Sequence, residues 1–251
     1  RAKPFNLGRK FKISFSGCER GCAKPWINCL GFVARADGNF DAVGAGSLGV
    51  IPETGIKLYE KLAPEDCAIL CVAALEMFEE LGERNNRKKA RFRHVRNRLG
   101  DEEFRSELDR RFAQARKLVR QKITLEKNST RRTLTAELKF CGGDVEIDEA
   151  IVLARIAEAN SAELRLTLDQ SIRIYSEMPM RIEGGLESHK SRAAVAACPG
   201  AATCPSGLID TKKLAAAVKG ALETTEFEGV VNISGCPNGC CHSSAAQIGL
   251  T

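Results

Sequence analysis

Four of the eleven cysteines fall into one pattern: Cys198 and Cys204 enclose five residues, Cys236 and Cys240 enclose three, and 31 residues separate the pairs. Each pair lies on a turn rich in Gly and Pro, Cys198-Pro199-Gly200 in the first and Gly235-Cys236-Pro237-Asn238-Gly239-Cys240 in the second. Thiolates are soft ligands that select zinc or iron–sulfur clusters. Structural zinc sites use short knuckles on both sides, so this uneven pairing suits one [4Fe–4S] cubane better than one zinc ion. Lys10 and Lys12 are a second candidate pair. Alternate residues of a strand share a face, and two ammonium groups on one face bind an oxyanion and can supply protons to it.

The elements that must position these groups can be read from periodicity. Lys10 to Phe15 reads as a strand running into a Gly/Cys turn, and Asn39 to Val43 as another strand before the loop Gly44 to Gly49. Pro64 suits the first position of a helix, whose apolar stripe is Cys67, Leu70, Cys71, Ala74, Leu75, Phe78 and Leu81. A helix from Asp101 carries Phe104, Leu108, Phe112, Ala115 and Val119. Thr133 to Phe140 alternates as a half-buried strand, and Ile147 to Asn160 is a helix burying Ile151, Ala154 and Ile156. Leu164 to Leu168 and Ile172 to Ile174 are strands joined by a turn. A helix after Asp210 and a strand from Val230 to Ile233 lead into the second cysteine turn. The block from 123 to 180 therefore reads as a small α+β unit.

Size and composition bound the rest. A chain of 251 residues, 43% hydrophobic and 28% charged, holds one large or two modest cores and is too apolar for disorder. An odd number of cysteines without a secretory signal argues for metal chemistry in a reducing compartment, the cytoplasm by default. No apolar run is long enough to span a bilayer. Starting at Arg1 and stopping within an apolar run, the chain reads as an internal piece of a longer protein. The net charge of +6 is modest, but eight cations crowd the fifteen residues from Arg84 to Arg98: Arg84, Arg87, Lys88, Lys89, Arg91, Arg93, Arg96 and Arg98. Such a run attracts anions of several kinds.

One internal repeat stands out. Residues 13–22 align without gaps onto residues 231–240, at a separation of 218, and the register continues to Leu30-Gly31-Phe32 over Ile248-Gly249-Leu250. Two duplicated halves are the simplest source.

With these motifs in place, the chain resembles the sirohaem-dependent sulfite and nitrite reductases along essentially its whole length. Arg9-Lys10-Phe11-Lys12 resembles the family's basic strand motif. Gly235 to Cys240 and Cys198 to Cys204 resemble its cluster loops, and Leu164 to Thr167 with Gln170 and Ile172 its ferredoxin-like half-domain. The resemblance implies an α+β fold in which two sirohaem/[4Fe–4S] reductase halves, mixed sheets with helices, flank that half-domain. The expected boundaries are 1–122, 123–184 and 185–251, the last part truncated at its C-terminus. It implies six-electron reduction of sulfite to sulfide, or of nitrite to ammonia, with electrons from a ferredoxin or a flavoprotein. Cys198, Cys204 and Cys236 would hold the cluster alone, while Cys240 would also bridge it to the sirohaem iron. Arg9, Arg91 and Arg93 would contact the eight sirohaem carboxylates, since buried charge must be paired, and Lys10 and Lys12 would be catalytic. Lys12 makes the motif Lys-x-Lys, which resembles sulfite reductases, whereas plant-type nitrite reductases tend to have asparagine there; a ferredoxin-dependent nitrite reductase is the alternative.

Several residues carry two readings. Cys18 and Cys22 occupy the first-half counterpart of the cluster turn, where many family members keep no cysteine pair; they are either a relic of duplication or a second metal site. Cys67 and Cys71 lie on a buried helical stripe and read as core, Cys29 and Cys141 as structural. Cys241 diverges from its neighbour Cys240, and His242 follows the cluster loop either near the cofactor or at the surface. Gly44-x-Gly46-x-x-Gly49 matches a dinucleotide fingerprint, but Val50-Ile51-Pro52 cannot start the helix that would hold a pyrophosphate. A haem-free iron–sulfur electron carrier would explain the four cysteines and leave the basic motifs idle. A nucleic-acid-binding module lacks interleaved aromatics and any recognised motif, so neither nucleic acid nor membrane is expected as a partner.

Overall fold

The computed structural model describes residues 4–118 and 132–251. The chain divides into two compact units, Arg1–Glu126 and Lys127–Thr251. The boundary expected at 122/123, like Val119 of the helical stripe, lies outside the described residues. Among those residues no helix is long and apolar enough to cross a membrane.

In the first unit, strands β1 (Ile13–Ser16), β2 (Leu30–Ala34), β3 (Phe40–Gly44) and β4 (Ile56–Leu62) form a sheet in sequence order. β1 runs parallel to β2, and the other neighbours are antiparallel. Helices α1 (Pro64–Leu81), α2 (Arg93–Leu99) and α3 (Asp101–Leu118) supply the other layer. Pro64 occupies the first turn of α1, where its missing N–H costs nothing, and Gly100, at φ 83°, ends α2 just before α3 starts. Leu30, Phe32 and Ala42 from the sheet bury with Leu70, Ala74, Met77 and Phe78 of α1 and Phe104, Leu108 and Phe112 of α3. The strand expected from Lys10 begins only at Ile13, so Lys10 and Lys12 lie in the lead-in to β1. The Lys12 carbonyl already accepts a hydrogen bond from Leu30 N–H, at 3.1 Å, so pairing reaches one residue beyond the strand.

Charge holds the two long helices of this unit together. Glu107 takes two hydrogen bonds from Arg110 and one from Arg111, at 2.9, 2.8 and 2.6 Å, and Arg111 reaches Glu80 of α1 at 2.6 Å. The Arg110 guanidinium first, then Arg111, pull the Glu107 carboxyl from its ordinary 4.5 down to about 2. A depressed carboxylate stabilises the fold fully above its unfolded value and loses that contribution as pH falls through the folded one. The first unit should therefore weaken between about pH 4.5 and pH 2, and Glu107→Gln should remove ~1–3 kcal/mol at neutral pH, leaving Arg111 buried with a poorer partner. Trp26, the only tryptophan, lies in this unit, so its fluorescence in urea at pH 7 and pH 3 checks both statements. A variant whose unfolding midpoint matches the wild type at pH 7 would contradict them.

The second unit contains two three-stranded sheets. In one, β5 (Thr133–Lys139) and β6 (Glu163–Leu166) flank β7 (Ser171–Ser176), all antiparallel. Helix α4 (Ile147–Ala159) begins with a capping box between Glu146 and Glu149. Its buried side is Leu153, with Val152 and Ile156 half-buried, whereas Ile151 is 43% exposed and Ala154 is exposed. The face read from the sequence was rotated by about one residue, because so short an apolar helix offers two stripes of similar hydrophobicity. In the other sheet, β8 (Ala193–Ala197), β9 (Gly229–Ile233) and β10 (Ile248–Leu250) are all parallel, with β9 central. Helix α5 (Thr211–Leu222), capped by Asp210, makes the crossover from β8 to β9. Gln170, in the left-handed region at φ 63°, ties the sheets together: its carboxamide exchanges hydrogen bonds of 3.0 and 2.9 Å with the backbone of Ala197.

Candidate functional site

Parallel strands present their carboxyl ends as a crevice, and the two cysteine pairs follow the ends of β8 and β9. Cys198 comes directly after β8, held by its N–H to the Ile233 carbonyl at 3.0 Å, and its own carbonyl accepts the Thr211 hydroxyl at 2.5 Å. The loop then doubles back, with Cys204 N–H on the Gly200 carbonyl at 2.9 Å and Leu208 N–H on the Gly235 carbonyl at 2.7 Å. As a result Cys198, Cys204, Cys236 and Cys240 line one cavity of about 100 Å³.

Donors point at the sulfurs. Gly235 N–H reaches Cys198 Sγ at 3.1 Å and the Asn238 carboxamide reaches Cys236 Sγ at 3.4 Å. Such bonds tune the potential of a thiolate-bound cluster. Among the described residues no three His, Cys, Asp or Glu side chains converge on the position of a single metal ion. All four cysteines instead line one cavity, and four thiolates are the donor set that a [4Fe–4S] cubane takes. Gly207 closes the cavity by lying against Gly200: an added Cβ would fall 2.4 Å from the Gly200 carbonyl carbon. Gly207→Ala should force a backbone shift costing ~1–3 kcal/mol and lower the iron retained per chain, with far-UV circular dichroism unchanged as the control. Full iron retention would show that the loop yields without loss.

The other cysteines differ. Cys29 and Cys67 are buried, and Cys71 packs against the first core. Burial pushes the Cys67 thiol up to about 12 and the Cys71 thiol up to about 11. Cys141 is half-buried against the second unit's parallel-sheet core, and burial raises it too. The Cys241 backbone is used locally, its N–H on Ser234 Oγ and its carbonyl on Asn232. His242 stands at φ 59° as the left-handed residue that ends the cysteine turn.

The basic groups assemble in the first unit. Phe11 points inward onto Phe78 and Phe92, with ring centroids 5.7 and 5.1 Å away. Beside it Lys10 is exposed, and Arg9 and Lys12 are half-exposed. Because Phe92 sits between Arg91 and Arg93, the same contact brings two motifs some eighty residues apart in sequence to one place. Four of the eight cations of the basic run are engaged internally. Arg84 bonds the carbonyls of Asn6 and Glu79, Arg96 binds Asp101 and Glu53, and Arg98 bonds the Leu81 carbonyl. Arg93 holds the Ile51 carbonyl and pairs with Glu53 at 3.6 Å. Arg91 differs from these four: its Nε is buried without a hydrogen-bond partner, a donor of the kind an anionic group would satisfy. Sequence reasoning passed over Glu53 and His94; burial lowers His94, and Arg93 donates to its ring at 3.4 Å. No local pattern marks Glu53, because its partners Arg93 and Arg96 are distant in sequence.

Residues Gly44 to Gly49 run from β3 into a loop with no helix behind them, as their sequence requires. Gly46 lies against the Trp26 carbonyl and leaves no space for a Cβ.

Residues 1–116 match the family described as the nitrite and sulphite reductase 4Fe-4S domain. The chain is 31% identical over 283 residues to the chloroplastic ferredoxin–nitrite reductase of Arabidopsis thaliana, an alignment covering 98% of this chain and 47% of that protein. It is 26% identical to the sulfite reductase [NADPH] hemoprotein beta-component of Neisseria meningitidis, covering 97% of this chain and 48% of that protein. The chain thus spans about half the length of the curated relatives it matches. Its fold matches Mycobacterium tuberculosis NirA with a TM-score of 0.73 at 20% identity, over 95% of this chain and 49% of that one.

Proposed function

This chain belongs to the sulfite and nitrite reductase family, and from that premise we propose that the protein it comes from reduces a small oxyanion, sulfite or nitrite, by six electrons. The family's cofactors are a [4Fe–4S] cluster and sirohaem. When bound, these supply single-electron delivery and an iron that takes the anion. The observation that carries the reading is the single cavity lined by Cys198, Cys204, Cys236 and Cys240. These four would hold the cluster, and Cys240, the more exposed, would be shared with the sirohaem.

The chain's own residues have definite tasks. Arg91, with its buried unpaired Nε, would bind a sirohaem carboxylate, and Arg9 lies on the same basic stretch as the lysines. Arg93, already paired with Glu53, positions the 91–93 segment rather than bringing an unmatched charge. Lys10 and Lys12 would hold the substrate oxygens and pass protons to them as they leave as water, work suited to two adjacent ammonium groups. Sulfite carries more negative charge than nitrite, so a second cation at Lys12 favours sulfite. A one-electron donor, a ferredoxin or a flavoprotein, is the matching partner. The division into 1–122, 123–184 and 185–251 remains our proposed domain assignment.

The test is an anaerobic absorption spectrum with iron and sulfide analysis on the full-length protein reconstituted with sirohaem. Sirohaem bands with about four irons and four sulfides support the proposal. A cluster without haem would indicate an electron carrier, and zinc alone would overturn both.

A further inference from the structure

The two cysteine turns share more than sequence. Each is enclosed by parallel strands paired with the same 17-residue offset, Ile13 opposite Leu30 in one and Val231 opposite Ile248 in the other. Within the turns several hydrogen bonds correspond position by position. Gly21 N–H to the Cys18 carbonyl and Gly239 N–H to the Cys236 carbonyl are both 3.2 Å, with φ 63° and 64° at the two glycines. Ala23 N–H to Ser16 Oγ and Cys241 N–H to Ser234 Oγ are both 3.3 Å. Lys24 and His242 hold the same left-handed position and bond back to Gly21 and Gly239 at 2.8 and 2.9 Å. Short 3-10 turns follow at Pro25–Ile27 and Ser243–Ala245. Even the sulfur contact is repeated: Asn238 donates to Cys236, and at the corresponding position the Arg20 side chain hydrogen-bonds Cys18.

We propose that the Cys18–Cys22 turn is a second thiolate site, taking a soft metal ion on two cysteines presented as the turn around Cys236 and Cys240 presents its pair. The inference rests on the reading of the latter pair as metal ligands. A relic kept only for its backbone would need Gly21 and Ser16, which set the turn, but neither thiol. Here both sulfurs are retained and accessible, Cys22 exposed and Cys18 partly so, and a cation rather than an amide supports the first. On binding, each thiol releases one proton and forms one sulfur–metal bond; water or a small thiol completes the coordination, as soft ions with few protein ligands require.

The experiment is an anaerobic Cd²⁺ titration of the full-length protein with its cluster reconstituted, following thiolate-to-metal absorption and bound cadmium. Wild type, Cys18→Ser and Cys22→Ser are compared, with iron counted in each. The expected result is one Cd²⁺ equivalent in the wild type that both variants lose while keeping their iron. Equal cadmium uptake and absorption in all three proteins would overturn the proposal. Low iron throughout, with the cadmium difference preserved, would count against the cluster reading alone and leave the Cys18–Cys22 site standing.

Discussion

Cys204→Ser is expected to empty the cavity of iron, taking the chain from about four irons and four sulfides to near none after anaerobic reconstitution. Serine is nearly isosteric, so the loop that returns Cys204 N–H to the Gly200 carbonyl can persist. What changes is the ligand: a hard, rarely ionised hydroxyl replaces a soft thiolate at one corner. The three sulfurs left hold a four-iron cluster less firmly, and solvent reaches the iron where the fourth stood. Cys67→Ser is the control. That thiol lies within the first core, pushed up to about 12 by burial, and its loss should cost stability without touching iron. Undiminished iron and sulfide in Cys204→Ser would show that the cavity is not the cluster site.

Substitution of the lysines should give the largest kinetic effect in the full-length enzyme. Lys10→Met is expected to lower turnover by ~10²–10⁴-fold, the range for losing a positioned proton donor. Phe11 packs on Phe78 and Phe92 and anchors this segment, so the substitution should leave the fold intact. Lys12→Asn should discriminate between substrates. An amide can still hydrogen-bond a singly charged anion, but it withdraws the second positive charge from a doubly charged one. Sulfite turnover should therefore fall at least ~10-fold further than nitrite turnover, equivalent to ~1.4 kcal/mol of transition-state stabilisation. Equal losses on both substrates would refute the assignment of Lys12 as the residue that favours sulfite.

Arg91 and Arg93 show where sequence reading reaches its limit. Both sit in one basic run and nothing local separates them, yet Arg93 is matched by Glu53 and the Ile51 carbonyl while Arg91 keeps a buried donor without a partner. Strand β4 and helix α2 were also not legible, one interrupted by polar residues and the other short and arginine-rich. Ile151 was assigned inward and is exposed, since a helix with two plausible apolar stripes is oriented by the sheet it meets.

The sequence by itself determined the local geometry of the chemistry. Glycines at left-handed positions, serines that accept from the turn backbone, and cysteines at fixed intervals prescribe a turn through contacts of a few residues, so the two copies could be recognised before any fold was known. The main helices followed from periodicity for the same reason. Tertiary structure alone decided what converges: that the loops after β8 and β9 close on one cavity, that Phe11 docks beside Phe92, and which cations are already paired. Those outcomes depend on groups 30 to 80 residues apart, whose meeting is set by strand register and core packing rather than by any short-range preference.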